Sequence, residues 1–282
     1  MTIQTAAADQ AVFIDRKKPL WLFSLVWLSL PAVGSFVAVA TNSELALWIV
    51  PIAWFGFIPI LDRLCARDQS CPRAVQIGRL DKQLYYSLVV GLAVPIVYAT
   101  LFYCASVVAR LNFSVLGLSL GIVFGTLLTV SRASGCCQTP TEKMLGFIAT
   151  SIVGFGHFRL THTVAHQQNC ATPGDPSSAR MGESLYKFFL RSLHGSTRQA
   201  WVLEKRCLAH LGHIRSLFTN EITQCMVFAI VLHGAIVLVF GLRVLPVLLM
   251  ADFICVVFQT AIVYIQRYGL LREKRADGAY VR

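Results

Sequence analysis

His162 and His166 stand four residues apart within the stretch 154–188, GFGHFRLTHTVAHQQNCATPGDPSSARMGESLYKF. On a helix that spacing puts both imidazoles on one face. Two imidazoles can begin a metal site but cannot complete one. Upstream, Cys136 and Cys137 add thiolates, and with the two histidines they form a zinc-type donor set. Zinc cysteines are usually separated by about two to four residues, so an adjacent pair disfavours that set. The plainer reading makes His162 and His166 polar groups that are hydrogen-bonded or solvated. His210 and His213, in AHLGH, read as a solvated surface, and His194 and His233 as isolated structural residues. The chain has no G-x-S-x-G nucleophile elbow and no G-x-x-x-x-G-K-[ST] phosphate loop.

The elements that must position these groups belong to a membrane protein. Of 282 residues, 56% are hydrophobic and 14% charged. Soluble domains carry about 25% charged residues. The apolar runs here approach the ~20 residues that cross a ~30 Å hydrocarbon core. The net charge of +11 fits a positive-inside bias, and nothing resembles a nucleic-acid face of interleaved basic and aromatic residues. The opening MTIQTAAADQAVFID contains acid and lacks the basic start of a cleavable signal, so the first span is expected to serve as its own insertion signal. The nine cysteines are odd in number. Cys104, Cys225 and Cys255 lie in or beside apolar runs as small hydrophobes. Cys65, Cys71, Cys136, Cys137, Cys170 and Cys207 fall in segments expected to be cytoplasmic and reduced.

Hydropathy predicts an all-α membrane bundle of about six spans: 19–40, 44–61, 85–109, 113–130, 222–242 and 244–265. Residues 1–18 form a polar tail, 19–282 a single membrane domain, and 131–221 a cytoplasmic or interfacial section. With both termini inside, 23 of the 25 Lys and Arg fall on the inner side, and only Arg110 and Arg243 fall outside; this asymmetry fixes orientation. Pro31, Pro51, Pro59 and Pro95 lie within spans as packing kinks. Gly117, Gly121 and Gly125 recur every fourth residue, a small-residue face for packing within the chain or against a partner helix. Met144–Val164 reads as a helix lying at the interface or re-entering the membrane. Residues 172–176 read as a turn, followed by a helix capped by Ser177 or Ser178.

The runs GFGHF, ATPGDPSSARMGESLYKFFLRS, QAWVLE, FTNEI and YGLLREKRADGAY, with LDRLCARDQSCP upstream, resemble the membrane alkane 1-monooxygenases. These are di-iron hydroxylases related to xylene monooxygenase and, more remotely, to membrane fatty-acid desaturases. The resemblance covers most of the chain from about Leu61 onward. It implies a cytoplasmic cap of histidine boxes holding two irons, electrons from rubredoxin or a ferredoxin-type donor, and alkane, fatty or alkyl-aromatic substrates. The family's H-E-x-x-H box falls on Arg132 to Cys136, with Arg and Cys at the histidine positions. Its E-H-x-x-G-H-H box falls on Thr161 to Gln167, keeping His162 and His166. Its N-Y-x-E-H-Y-G box falls on Val263 to Gly269, where Gln266 replaces the acid and Arg267 the histidine. The family's last box lies beyond Arg282, which suggests a chain cut short on its C-terminal side.

These replacements are chemically one-sided. Arginine stays protonated and has no lone pair to give, so Arg132 and Arg267 cannot be ligands. Like unit charges about 4 Å apart repel by about 4 kcal/mol at an effective dielectric of 20, and a divalent ion roughly doubles that. An arginine at such a position fills the charge role itself and pairs with an inward acid, for which Asp175 and Glu183 are candidates. The scaffold motif Asp175, Pro176, Arg180, Gly182 and Glu183 is intact. The resulting expectation is a non-catalytic member of the family in a bacterial inner membrane. It would carry no cofactor and would partner a box-complete catalytic relative, with an electron donor needed only if it is active. Two alternatives stand beside this reading. One is an active iron enzyme with unusual ligands, using His162, His166 and less favourably Cys136, or a site completed in trans. The other is an inactive remnant.

Overall fold

The computed structural model describes residues 20–57, 59–60, 63, 96–111, 115–134, 140–161, 171–210, 220–270 and 272. Among them the regular structure is helical, joined by turns, and contains no strand. Helix α1 is Leu20–Thr41, running through Pro31. After a turn capped by the Ser43 hydroxyl come a 3-10 turn (Glu44–Trp48), the short helix α2 (Ile49–Ile52) and a wide π turn (Ala53–Phe57). Helices α3 (Ile96–Arg110) and α4 (Val115–Ser134) follow. Next are α5 (Pro140–Ser151), α6 (Gly156–Leu160) and α7 (Leu185–His210). The long apolar helices α8 (Glu221–Phe240) and α9 (Leu245–Arg267) complete the set.

Two helical stretches, Glu221–Phe240 and Leu242–Arg267, are long and apolar enough to cross a membrane. The described apolar segments Ser29–Thr41, Glu44–Phe57, Ile96–Arg110 and Val115–Thr129 are shorter and overlap parts of the other expected spans. The second of them is a composite of three helix types. Pro51 lacks the N–H that a regular ladder needs, and the hydrogen-bonding pattern changes around it.

The seam between α4 and α9 resolves the glycine alternatives in favour of packing within the chain. A Cβ on Gly121 would lie 2.6 Å from Ile254 Cβ and 2.8 Å from the Ala251 carbonyl oxygen, and Gly117 and Gly125 meet Met250 and Phe258 in the same register. Every fourth residue of one helix thus receives every fourth side chain of the other, a ridge set into a groove. At the end of this seam the Thr129 hydroxyl donates to Gln259 Oε1 over 3.0 Å, with Gln259 fully buried. The Ser119 hydroxyl donates to the Leu47 carbonyl and ties α4 to the Glu44–Trp48 turn. One large apolar cluster runs through these helices, from Ala38 and Leu47 through Leu101, Leu120 and Phe124 to Leu248 and Cys255. Cys104, Cys225 and Cys255 are buried free thiols, and Cys207 is an exposed one.

Three local expectations are corrected. The single helix expected across 144–164 breaks at Ile152–Phe155. There Gly154 takes φ +68, and the Gly154 and Phe155 amides donate back to Ser151 and Thr150. The helix expected to start at Ser177 or Ser178 starts at Leu185. Ser184 lies at its N-terminus, with its carbonyl accepting from Phe188 N–H and its hydroxyl facing Lys187 N–H at 3.5 Å. The two earlier serines are drawn instead into a carboxylate-centred turn. His233 is not isolated: its Nδ1 lies 3.5 Å from Asp252 Oδ2, joining α8 to α9.

Candidate functional site

The chemistry-bearing part of the described structure is the polar turn 171–184, clasped by the end of α9. It is built around Asp175, which is buried. Asp175 Oδ1 accepts from Ser177 N–H at 3.0 Å and Oδ2 accepts from the Ser178 hydroxyl at 2.8 Å. A carboxylate holding the amide two residues ahead is the local bond that competes with helix and wins here. Ser178 Oγ also accepts from Ala171 N–H, closing the turn. Gly182 sits at φ +76, a left-handed conformation open to glycine without strain.

Glu183 is the electrostatic centre. Its Oε1 receives Arg191 Nε at 2.7 Å, and its Oε2 receives Arg191 Nη2 at 2.8 Å and the Arg180 amide at 3.0 Å. The fork-to-fork pairing with Arg191, helped by the Arg180 amide and charge, holds the Glu183 carboxyl down to about 2. Arg191 donates further to the carbonyls of Ser178 and Pro176, and its guanidinium lies 5.5 Å from the centre of the Phe188 ring. Helix α7 approaches Pro176 closely because position 195 is glycine; a Cβ there would fall 2.6 Å from Pro176 Cβ.

The end of α9 grips this turn from the other side. The Tyr264 hydroxyl donates to the Glu183 carbonyl at 2.7 Å, and Gly182 N–H donates to the Tyr268 hydroxyl at 3.0 Å. Gly269 N–H donates to the Ala179 carbonyl and Arg272 N–H to the Ala171 carbonyl. Buried Arg267 sends Nη1 to the Ser177 carbonyl at 3.4 Å. Phe188, Ala179 and Val263 form a small apolar core beneath, with Phe158 and Tyr264 packed on it.

Of the scaffold residues read from sequence, Asp175, Pro176, Gly182 and Glu183 come together in this turn. Arg180 contributes chiefly its backbone, since its side chain is exposed. Glu183 pairs with Arg191. The reading from sequence missed Arg191, eight positions from Glu183, and the roles of Tyr264 and Tyr268, whose partners 81 and 86 positions away leave no spacing signal. His162, His166, Cys136 and Gln167 lie outside the described residues, as does the side chain of Arg132. Gln266 is exposed on the last turn of α9, beside Arg267.

Two described histidines, His157 and His233, have a buried ring nitrogen without a hydrogen-bond partner, and only His157 lies outside the long apolar helices. His157, at the start of α6, is buried with Nε2 lacking a hydrogen-bond partner, and its ring meets Phe155 edge-on. Burial pushes its pKa down to about 4, so it is neutral at physiological pH. Among the described residues no three His, Cys, Asp or Glu side chains gather as a metal site. What can be tested of the ligand set is the end of α9, and it does not fit a metal: its buried polar group is a guanidinium, with no lone pair to offer.

Residues 138–281 match the model of the fatty acid desaturase family. The chain is 34% identical over 282 residues to alkane 1-monooxygenase 1 of Alcanivorax borkumensis, covering 97% of this chain and 69% of that protein. It is 36% identical over 273 residues to the alkane 1-monooxygenase of Pseudomonas putida, covering 95% of this chain and 68% of that protein. The protein of the same description from Ectopseudomonas oleovorans is 34% identical over 273 residues, with 95% and 68% coverage.

Proposed function

The chain belongs to the fatty acid desaturase family, on its alkane 1-monooxygenase-like side, and on that premise we propose that it supports a membrane hydroxylase without itself oxidising substrate. The observation that carries this reading is Arg267. By the resemblance it stands where the family's box has a histidine, and it is buried and bonded to the backbone of the 171–184 turn. A permanent cation there repels iron and donates nothing to it. In this reading the family's di-iron group is not held at the end of α9, and no oxidation step runs through this chain.

The protein is a multi-pass bundle of six spans in one membrane domain, with both termini and the 171–184 turn on the cytoplasmic side. The positive-inside count supports that orientation. Its partner is a box-complete relative acting on alkane, fatty or alkyl-aromatic chains, and the intact turn is the shared scaffold through which this chain retains the family shape. A rubredoxin- or ferredoxin-type donor serves the partner.

His157 favours a second reading. A neutral, buried imidazole with a free nitrogen is a candidate donor for an unusual site shared with His162 and His166, or completed in trans. Iron analysis of the detergent-purified chain separates the two readings. The accessory reading expects iron far below two per chain, no oxygen-dependent product from this chain alone, and co-purification with a catalytic relative. Two irons with turnover by the isolated chain would establish the second reading. Replacing His162 or His166 with alanine should leave the supporting activity intact.

A further inference from the structure

We infer that Arg267 performs structurally, in this chain, what a bound ion would do at the same place: its guanidinium is the fixed cation that locks the end of α9 onto the 171–184 turn. The inference rests on the non-oxidising reading above and adds what has taken the ion's place.

Arg267 is the last residue of α9, where the carbonyl-rich pole of the helix favours a cation. It is only 7% exposed, and a buried charge is tolerated only when partnered. Its Nη1 reaches the Ser177 carbonyl, 90 positions earlier in the chain. That carbonyl belongs to the same short turn that the Asp175 carboxylate organises through Ser177 and Ser178.

The neighbours of Arg267 on both sides bond to this turn. Tyr264 reaches Glu183, Tyr268 receives Gly182, Gly269 reaches Ala179, and Arg272 reaches Ala171. The arginine therefore sits mid-seam, with its charge beside the backbone carbonyls of the 171–184 turn.

A histidine at this position would be a neutral donor needing an ion to anchor it. An arginine carries its own charge, cannot lose its proton, and offers a planar fork suited to carbonyl and carboxylate oxygens. Gln266 agrees with this: it stands at the acid's position in the box and is exposed, so the neighbouring position presents no buried carboxylate for a metal. The seam closes through side-chain charge, and its integrity does not depend on iron.

The test uses the full chain in detergent, with thermal unfolding and limited proteolysis of the 171–184 turn as readouts. A strong iron chelator should leave the parent's midpoint and cleavage pattern unchanged. Arg267→Met and Arg267→His should lower the midpoint by at least about 5 °C, the scale of a lost buried interaction in a chain of this size, and should speed cleavage in the turn. Ferrous iron should not rescue Arg267→His. Arg267→Lys, which keeps the charge but not the fork, should fall between them and the parent.

Chelator sensitivity of the parent, rescue of Arg267→His by iron, or parent-like stability of Arg267→Met would each overturn the inference. If Arg267→Met does not accumulate, folded Arg267→Lys supports the inference and equal failure of Arg267→Lys overturns it. Two irons per chain that chelation removes without moving the midpoint would defeat the functional reading above and leave this one standing.

Discussion

At the scale of single residues, two titrating groups give opposite structural roles and the same pH sense. Glu183 is held at about 2 by Arg191, below its ordinary 4.5. Its stabilisation is therefore complete above about 4.5 and fades as pH falls toward 2. Glu183→Gln should lower stability by about 1.5–3 kcal/mol at neutral pH, the range for a charge-assisted hydrogen bond, and should flatten the acid limb of a midpoint-versus-pH curve. His157 is held at about 4 by burial, below its ordinary 6.5. The unfolded chain binds the proton first, so this contribution is intact above 6.5 and is lost between 6.5 and 4. His157→Phe should remove that segment of the curve. Of these two, Glu183 was legible in the sequence as part of an intact motif. Its true partner was not. Arg191, eight residues on, becomes its neighbour only once α7 has formed and turned its fork back over the turn.

At the scale of elements, the seam between α4 and α9 makes the sharpest claim. Gly121→Val would drive a side chain into the Ala251 carbonyl, a backbone atom that cannot step aside. The expected cost is about 1–3 kcal/mol or loss of folding, read by the yield of monodisperse protein and its thermal midpoint. Gly182→Val has open space around it but a left-handed backbone, so its cost should be smaller, about 1–2 kcal/mol. The His233–Asp252 pair supplies a third case. Removing one partner inside an apolar helix pair leaves the other without its match, so His233→Leu should destabilise more than the double replacement His233→Leu, Asp252→Leu. Helix positions were legible because runs of apolar residues near bilayer length announce themselves. Helix ends were less so. Ser177 and Ser178 have the composition of a cap, yet Asp175 captures the Ser177 amide and the Ser178 hydroxyl, and the cap position passes to Ser184. The glycine stripe was legible as a contact face, but its partner was not, because Met250, Ile254 and Phe258 lie in an apolar run with no small-residue pattern of their own.

At the scale of the whole molecule, α7 links the two long apolar helices at one level. Phe188 packs against Tyr264 near the end of α9, and Glu204 accepts from the first amide of α8 at 2.8 Å. The 16 residues between these contacts, at 1.5 Å each, span about 24 Å, well beyond the 8–10 Å of directly packed helices. Helices α8 and α9 therefore diverge toward these ends, and α7 bridges the gap with α6 against it. Family was legible from about Leu61 onward and helical class from the apolar runs, since both rest on ordered runs of residues. The chemistry of the site was legible only as a list of substitutions; which of them lie buried, and against what, required the fold. The clasp on the turn also has a consequence for biogenesis. Tyr264, Arg267 and Tyr268 leave the ribosome 81 to 90 residues after the turn they fasten. At roughly 5–20 residues per second, the turn waits on the order of ten seconds for its fastening. A nascent chain arrested before Tyr264 should be nicked there by added protease, and one released after Arg272 should resist.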